Sequence, residues 1–338
     1  MKRPIDIKRD GAGSFTVGEG AGAISEMIVI DDRMIILSQN GVHETQLADH
    51  VDPGRTDINL PQVIQRQIIP YGNAAPFIRE TLAMGRALFD THHLGDKFDK
   101  KKALSLTLKA AHDFAAMADL KNSLKADQDA SIKKLELTVK GNQLRLPTMP
   151  NLQSRIGSYL AHARAVSLSL LAIVELFYPK PKANDPWRDN LEKGLAGYLD
   201  GHELAKGAFE FTTHVIELVN DSRNAFEHPD ATKSVTVTDF GVVPGGKYTK
   251  PRVKIVFGGK PLAECDVDYL TETMLENLGA SFEGLSAILC DANIEPFGPV
   301  VTQIGAQPPE MAARGSRYAY QSHFKEGVVL PTSPPQKS

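Results

Sequence analysis

Cysteine is nearly absent from this chain of 338 residues: only Cys265 and Cys290 occur. Two thiols without Cys-x-x-Cys spacing exclude a disulfide framework and a cysteine zinc site, and they suit a reducing cytoplasm. Net charge is equally scarce. A formal value of −3 excludes a generic polyanion binder, so any contact with RNA needs a local basic patch. Long apolar runs are missing as well. The most apolar stretch, Val166 to Tyr178, is too short for a bilayer and carries Ser167, Ser169 and Glu175. It predicts a buried helix and no membrane contact. The start, Met1 to Asp6, has charge and no apolar segment behind it, so no signal peptide is expected and a cytoplasmic location is.

Ligand-holding motifs are few. His92 and His93 lie near Asp90 and Asp96, but adjacent histidines on a loop lack the spacing of metal ligands and read as surface residues. Gly18-Glu19-Gly20-Ala21-Gly22-Ala23 has the glycine spacing of a dinucleotide-binding loop. It lacks the strand before and the long helix after that such a loop requires. The sequence therefore predicts neither a metal nor a cofactor.

What is present is an ordinary globular composition, 42% hydrophobic and 23% charged, in a chain long enough for one large or two ordinary domains. Met27 to Leu37 alternates around Asp31-Asp32-Arg33 and predicts a hairpin. After Pro61 the pattern turns helical: Val63, Ile64, Gln67 and Ile68 mark a short helix, Phe77 to Leu88 a second, and Lys101 to about Ser123 a third. Residues 132–146 alternate around Gly141-Asn142, as a hairpin would. Pro147 and Pro150 mark a boundary. It divides a mixed helical and hairpin region of unknown role, 1–149, from a helical region, 150–298, and an irregular tail, 299–338. The second region predicts helices over about 152–178, 187–199, 203–228 and 267–291. The expected fold class is thus mainly α, a helical bundle with one inserted hairpin.

The end of the third of these helices concentrates chemistry. Asn220-Asp221-Ser222-Arg223-Asn224-Ala225-Phe226-Glu227-His228-Pro229 places an Arg, an Asn and a His within six residues. Pro229 should stop the helix near His228. Asn224 and His228, four apart, share a face, and Arg223 sits about a quarter turn back. A helix C-terminus favours a protonated imidazole. A titrating His beside a fixed cation can act on a phosphate ester without a metal. The competing interpretation is that Arg223 and His228 merely satisfy the terminal carbonyls.

The Arg-x4-His pattern of Arg223 and His228, with polar Asn224 directly after the Arg and helices on both sides, resembles the HEPN superfamily over roughly residues 150–295. The resemblance implies a dimer in which two motifs meet to form one metal-independent ribonuclease site, in a toxin or phage-defence setting. It implies that His228 is the general base or acid on the 2′-hydroxyl, that Arg223 stabilises the phosphorane and that Asn224 positions them. Some members are regulated by a partner protein that modifies a Tyr two residues after the His; Asp230 stands there in this chain. Other members are non-catalytic modules for dimerisation or partner docking, and this is the alternative reading.

A basic segment follows the motif. Val235, Val237, Val253, Ile255 and Phe257 alternate across Pro244-Gly245-Gly246, predicting a hairpin. Lys247, Lys250, Arg252, Lys254 and Lys260 surround it with no acid from Lys247 through Ala263. Lys247, Lys250 and Arg252 are the candidate contacts to an RNA backbone. Lysines on a hairpin also serve to block edge-to-edge pairing. A third reading, a nucleotide sensor in the first region that gates the second, finds no phosphate loop in the sequence.

Overall fold

A computed structural model describes residues 2–11, 16–31, 33–138, 145–180, 186–244, 247–313 and 315–325. After the short helix α1 (Pro4–Asp10), four antiparallel strands form a sheet in sequential order: β1 (Ile24–Ile30), β2 (Arg33–Ser38), β3 (Val42–Leu47) and β4 (Val63–Ile69). Helix α2 (Ala48–Val51) lies between the last two. The predicted β1–β2 hairpin is present, with Ile28 facing Ile35 and both buried.

The helix expected at Val63–Ile68 is instead β4. Apolar residues at 63, 64, 68 and 69 suit either period. Pro70 decides the matter, because it disfavours helical geometry at Ile69. β3 supplies a full ladder, from Leu47 opposite Val63 to Val42 opposite Ile69.

Pro76 then starts a continuous helical segment: α3 (Pro76–Ile78), a π-helical turn (Arg79–Ala83) and α4 (Met84–Phe89). The long helix α5 (Lys100–Thr138) follows. It runs through the start of the hairpin expected at 132–146. No Gly or Pro interrupts it before Gly141, its Ala, Lys and Leu residues favour helix, and Leu124 and Gln128 are buried along it. The rest of that expected hairpin, 139–144, lies outside the described residues.

Helices α6 (Leu152–Phe177), α7 (Trp187–Leu199), α8 (Glu203–Glu227) and α9 (Val267–Ala292) match the sequence expectation within one or two residues. Proline or a change of period marks each end. The inserted β-structure is larger than one hairpin. β5 (Ser234–Thr238), β8 (Arg252–Phe257) and β9 (Lys260–Asp266) form a three-stranded sheet, and β6 (Gly241–Val243) pairs with β7 (Lys247–Thr249) at its tip. The tail holds another hairpin, β10 (Val300–Ala306) and β11 (Tyr318–Phe324), with α10 (Pro309–Ala312) between them.

The mainly α expectation is therefore overturned. Helix accounts for 51% and strand for 21%, and the strands form four small sheets among the described residues. The class is mixed α/β. Strands whose apolar residues do not alternate strictly, such as β10 and β11, carry a weak periodic signal. They are held by packing: the Tyr320 hydroxyl donates to the Leu88 carbonyl at 2.9 Å and the Ile304 N–H donates to Asp291.

One cluster of buried residues runs from Ile28 on β1 to Cys290 on α9. Phe114 on α5 stands at its centre, 5.9 Å from Phe77 and 6.5 Å from Phe282 between ring centroids. Each such buried ring contributes about 2–3 kcal/mol of apolar burial. Among the described residues, α6 is long and apolar enough to cross a membrane. It packs against α5, α8 and α9, and Ile156, Tyr159, Leu160, Val166 and Leu170 are fully buried there.

Candidate functional site at the end of α8

Helix α8 is amphipathic, and Phe209, Val215, Ile216, Val219 and Ala225 bury one side of it. It ends where the sequence places its stop. His228 caps it with φ −128° and ψ 61°, and its N–H donates to the Asn224 carbonyl at 2.9 Å. Across from this last turn runs the first half of α6. Gly157 is what lets the two helices approach, because a Cβ at that position would overlap the Phe226 ring. Residues of both helices line a groove of about 820 Å³, among them Ser154, Gly157, Ser158, Arg223, Phe226 and Glu227.

Arg223 lies on the groove wall with 17% of its side chain exposed and pairs with Glu227 one turn on. Its Nη1 is buried and has no hydrogen-bond partner among the described residues. Burial, and then the nearby Arg164, pull the guanidinium below its ordinary pKa. Asn224 is half-buried and His228 is exposed. His228 stands about 140° around the helix from Arg223 at 100° per residue, and it is not among the groove's lining residues. The motif thus places a cation with spare donor capacity in a groove and an imidazole outside it, at the same helix end.

The basic segment has acidic neighbours that the sequence reading did not foresee. The acid-free run ends at Ala263. In the β8–β9 register Lys254 faces Glu264 and Arg252 faces Asp266. Lys254 Nζ lies 3.4 Å from Glu264, Arg252 lies 3.9 Å from Asp266 and 4.0 Å from Glu264, and Lys250 lies 3.9 Å from Asp268 on α9. These pairs are largely exposed and loosely spaced, each worth about 0–1 kcal/mol. Lys247 starts β7.

A second titratable cluster left no trace in the sequence reading. Glu80, on the π-helical turn, lies against bare Gly279 of α9, where a Cβ would overlap its carboxylate. Beside it, Glu283 is 2% exposed and its carboxylate lies 3.4 Å from Arg317 Nε. A pocket of about 270 Å³ opens over Glu80, Glu283, Arg79 and Arg317. Burial first, and Glu283 second, push Glu80 up to about 7, against Arg317 and Arg79. Burial also raises Glu283, opposed by Arg317. Residues 80 and 283 share no local pattern, and only the packing of the π-helical turn against α9 brings them together. The His93 ring lies tilted against His92 and Tyr320 at centroid distances of 4.2 and 4.5 Å. Among the described residues no cluster of His, Cys, Asp and Glu has metal-ligand geometry.

Comparison of the chain with protein-family models, with curated proteins and with solved structures found no match.

Proposed function

We propose that the chain is a cytoplasmic, metal-independent endoribonuclease of HEPN type that acts as a homodimer, with its site at the end of α8. The observation that carries this reading is Arg223, which lines an open groove and whose buried Nη1 has no partner among the described residues, at the helix end that also presents His228. An unsatisfied guanidinium N–H costs free energy until an anion fills it, and a phosphate is the anion that Arg geometry suits best. The neighbouring hydroxyls of Ser154 and Ser158 on the groove wall add polar lining.

In this reading a phosphodiester binds with a non-bridging oxygen at Arg223. His228 takes the proton of the ribose 2′-hydroxyl as that oxygen attacks phosphorus, and Arg223 stabilises the charge that builds on the phosphorane. Asn224, between them in sequence, holds the helix end through its carbonyl bond to the His228 N–H. The leaving 5′-oxygen needs a proton from a second acid. Two copies meeting at this helix end supply a second imidazole. Lys250, between β7 and β8, and Arg252, at the start of β8, extend the contact, exchanging their acidic partners for phosphates.

The test is cleavage of a mixed RNA pool in EDTA by the wild type and by the Arg223→Ala/His228→Ala variant. Cleavage by the wild type alone is the expected outcome. Equal activity of a folded variant would refute the assignment.

A second reading is favoured by a specific observation. Arg223 already has Glu227, and Lys250, Arg252 and Lys254 already have Glu264, Asp266 and Asp268. A surface whose charges are internally balanced suits a non-catalytic module that dimerises or docks a regulatory protein. That reading predicts association that survives Arg223→Ala and no cleavage of RNA by either protein.

A further inference from the structure

The four-stranded sheet holds a polar cavity of about 320 Å³ at its β3–β4 end, between the Gly18–Ala21 loop and the side chains of His43, Gln65 and Gln67. Its inner wall is His43, which is 5% exposed and whose Nδ1 has no hydrogen-bond partner among the described residues. Burial pulls the imidazole below its ordinary pKa, so the ring is neutral near pH 7 and carries one N–H and one bare lone pair. Leaving such a group unsatisfied costs about 1–3 kcal/mol, which a ligand placed against it restores.

The chemistry of the remaining walls narrows the ligand. Arg66 is committed: its Nε and Nη2 lie 2.7 and 2.6 Å from the buried Glu44 carboxylate. Glu19 contributes an acid from the loop side. Among the described residues Arg66 is the one cation lining the cavity, and against Glu19 and the Glu44 that it binds it leaves no net positive charge to select a phosphate. The other groups are amides, each with a donor beside an acceptor. Gln67 stands opposite His43 in the strand register, and Gln65 stands opposite Thr45 on the same face. Asn40 is fixed by its Nδ2 bond to the Gly20 carbonyl at 2.8 Å. Gly41 keeps the wall thin, since a Cβ there would lie 2.6 Å from Gln67 Nε2 and 3.0 Å from His43 Cε1. Side-by-side donors and acceptors are what an amide uses to read the edge of a base. The volume suits one ring system, at the low end of small-molecule sites.

We infer that this cavity binds the hydrogen-bonding edge of a nucleobase, read by His43 and by the Gln65 and Gln67 amides, without a contact to phosphate. It lies on β3 and β4, and it stands or falls independently of the reading given to α8. A nucleotide sensor without a phosphate loop becomes intelligible on these terms, because the base alone is recognised.

The base can arrive as a free nucleoside or within a single strand, and the experiment separates the two. The full chain is titrated calorimetrically with adenosine, guanosine, cytidine and uridine, with their 5′-monophosphates, and with single-stranded tetranucleotides. The His43 ring nitrogens are followed by NMR in parallel. We expect at least one nucleoside to saturate the protein and to shift the His43 Nδ1 resonance. We expect Gln67→Leu, at an exposed position, to leave thermal unfolding unchanged and to weaken binding by about tenfold, the worth of one hydrogen bond. Binding of tetranucleotides alone, lost in the same variant, keeps the base edge as ligand and makes a strand its source. The inference is overturned if nothing in the series moves the His43 resonance, or if Gln67→Leu binds like the wild type. It is likewise overturned if a 5′-phosphate tightens binding by about tenfold or more.

Discussion

Replacing Glu80 with Gln should stabilise this protein at high pH and leave it unchanged in acid. Glu80 is raised from its ordinary 4.5 to about 7 by burial and by Glu283, with a smaller contribution from Glu276, against Arg317 and Arg79. A carboxyl raised in this way holds a proton in the folded chain that the unfolded chain has released. Its contribution is therefore complete below its ordinary value and is lost as pH rises through about 7. Each tenfold change in proton affinity is worth about 1.4 kcal/mol, so the whole shift amounts to at most about 3.5 kcal/mol. Glu80 is partly exposed, and solvent screening brings the expected size to about 1–3 kcal/mol. Gln cannot ionise and has nearly the same shape, so it should remove that loss. Urea unfolding from about pH 4 to about pH 8 checks it. The wild type should lose stability relative to Glu80→Gln across this range, and the two should converge at the acid end. Parallel curves at every pH would refute the reasoning, because they would mean that Glu80 titrates alike in both states.

Three further outcomes follow from the packing. Gly157→Ala should cost about 1–3 kcal/mol in thermal or urea unfolding, because its methyl group overlaps the Phe226 ring; adding Phe226→Leu should recover part of the loss, and an unaltered melting curve for Gly157→Ala would contradict the close approach of α6 and α8. Tyr159, fully buried, donates its hydroxyl to the Thr271 carbonyl, so Tyr159→Phe should lower stability by about 1 kcal/mol or somewhat more as read by the urea midpoint. Burial opposes the Glu44 carboxylate, but Arg66 and then Arg33 outweigh it and hold its pKa below the ordinary value; the stability it contributes is present above that value and lost as pH falls through the folded one. Glu44→Gln should accordingly flatten the acid limb of the stability profile.

The long helices were legible in the sequence for physical reasons. In α6, α8 and α9 apolar residues recur at the helical period over 25 residues or more, and Pro179 and Pro229 mark where two of them must stop. β4 was misread because four apolar residues in seven fit both periods, and pairing with β3 decided between them. The three-residue strands β6 and β7, and the poorly alternating β10 and β11, owe their existence to neighbours, and their sequences say little. The same division holds at the sites. Arg223, Asn224 and His228 were visible because they are local. Their separation around α8 was implicit in the 100° step, but the groove that takes Arg223 depends on Gly157, 66 positions away by subtraction of residue numbers. The acids opposite Arg252 and Lys254 were one strand further along than the acid-free run suggested. Glu80 and His43 carried no signal at all, since burial creates both their altered proton affinities and their interest.

Among all these expectations, the claim that α8 ends in a metal-independent ribonuclease site is tested most directly by the ends of its products. Purified protein is incubated in EDTA with an RNA oligonucleotide and with its 2′-O-methyl counterpart, and the fragments are weighed by mass spectrometry. Attack by the 2′-hydroxyl breaks the P–O5′ bond, leaving a 2′,3′-cyclic phosphate on one fragment and a 5′-hydroxyl on the other, and the methylated strand should stay intact. Fragments ending in 5′-phosphate, or cleavage of the methylated strand, would contradict the role given to His228 and Arg223.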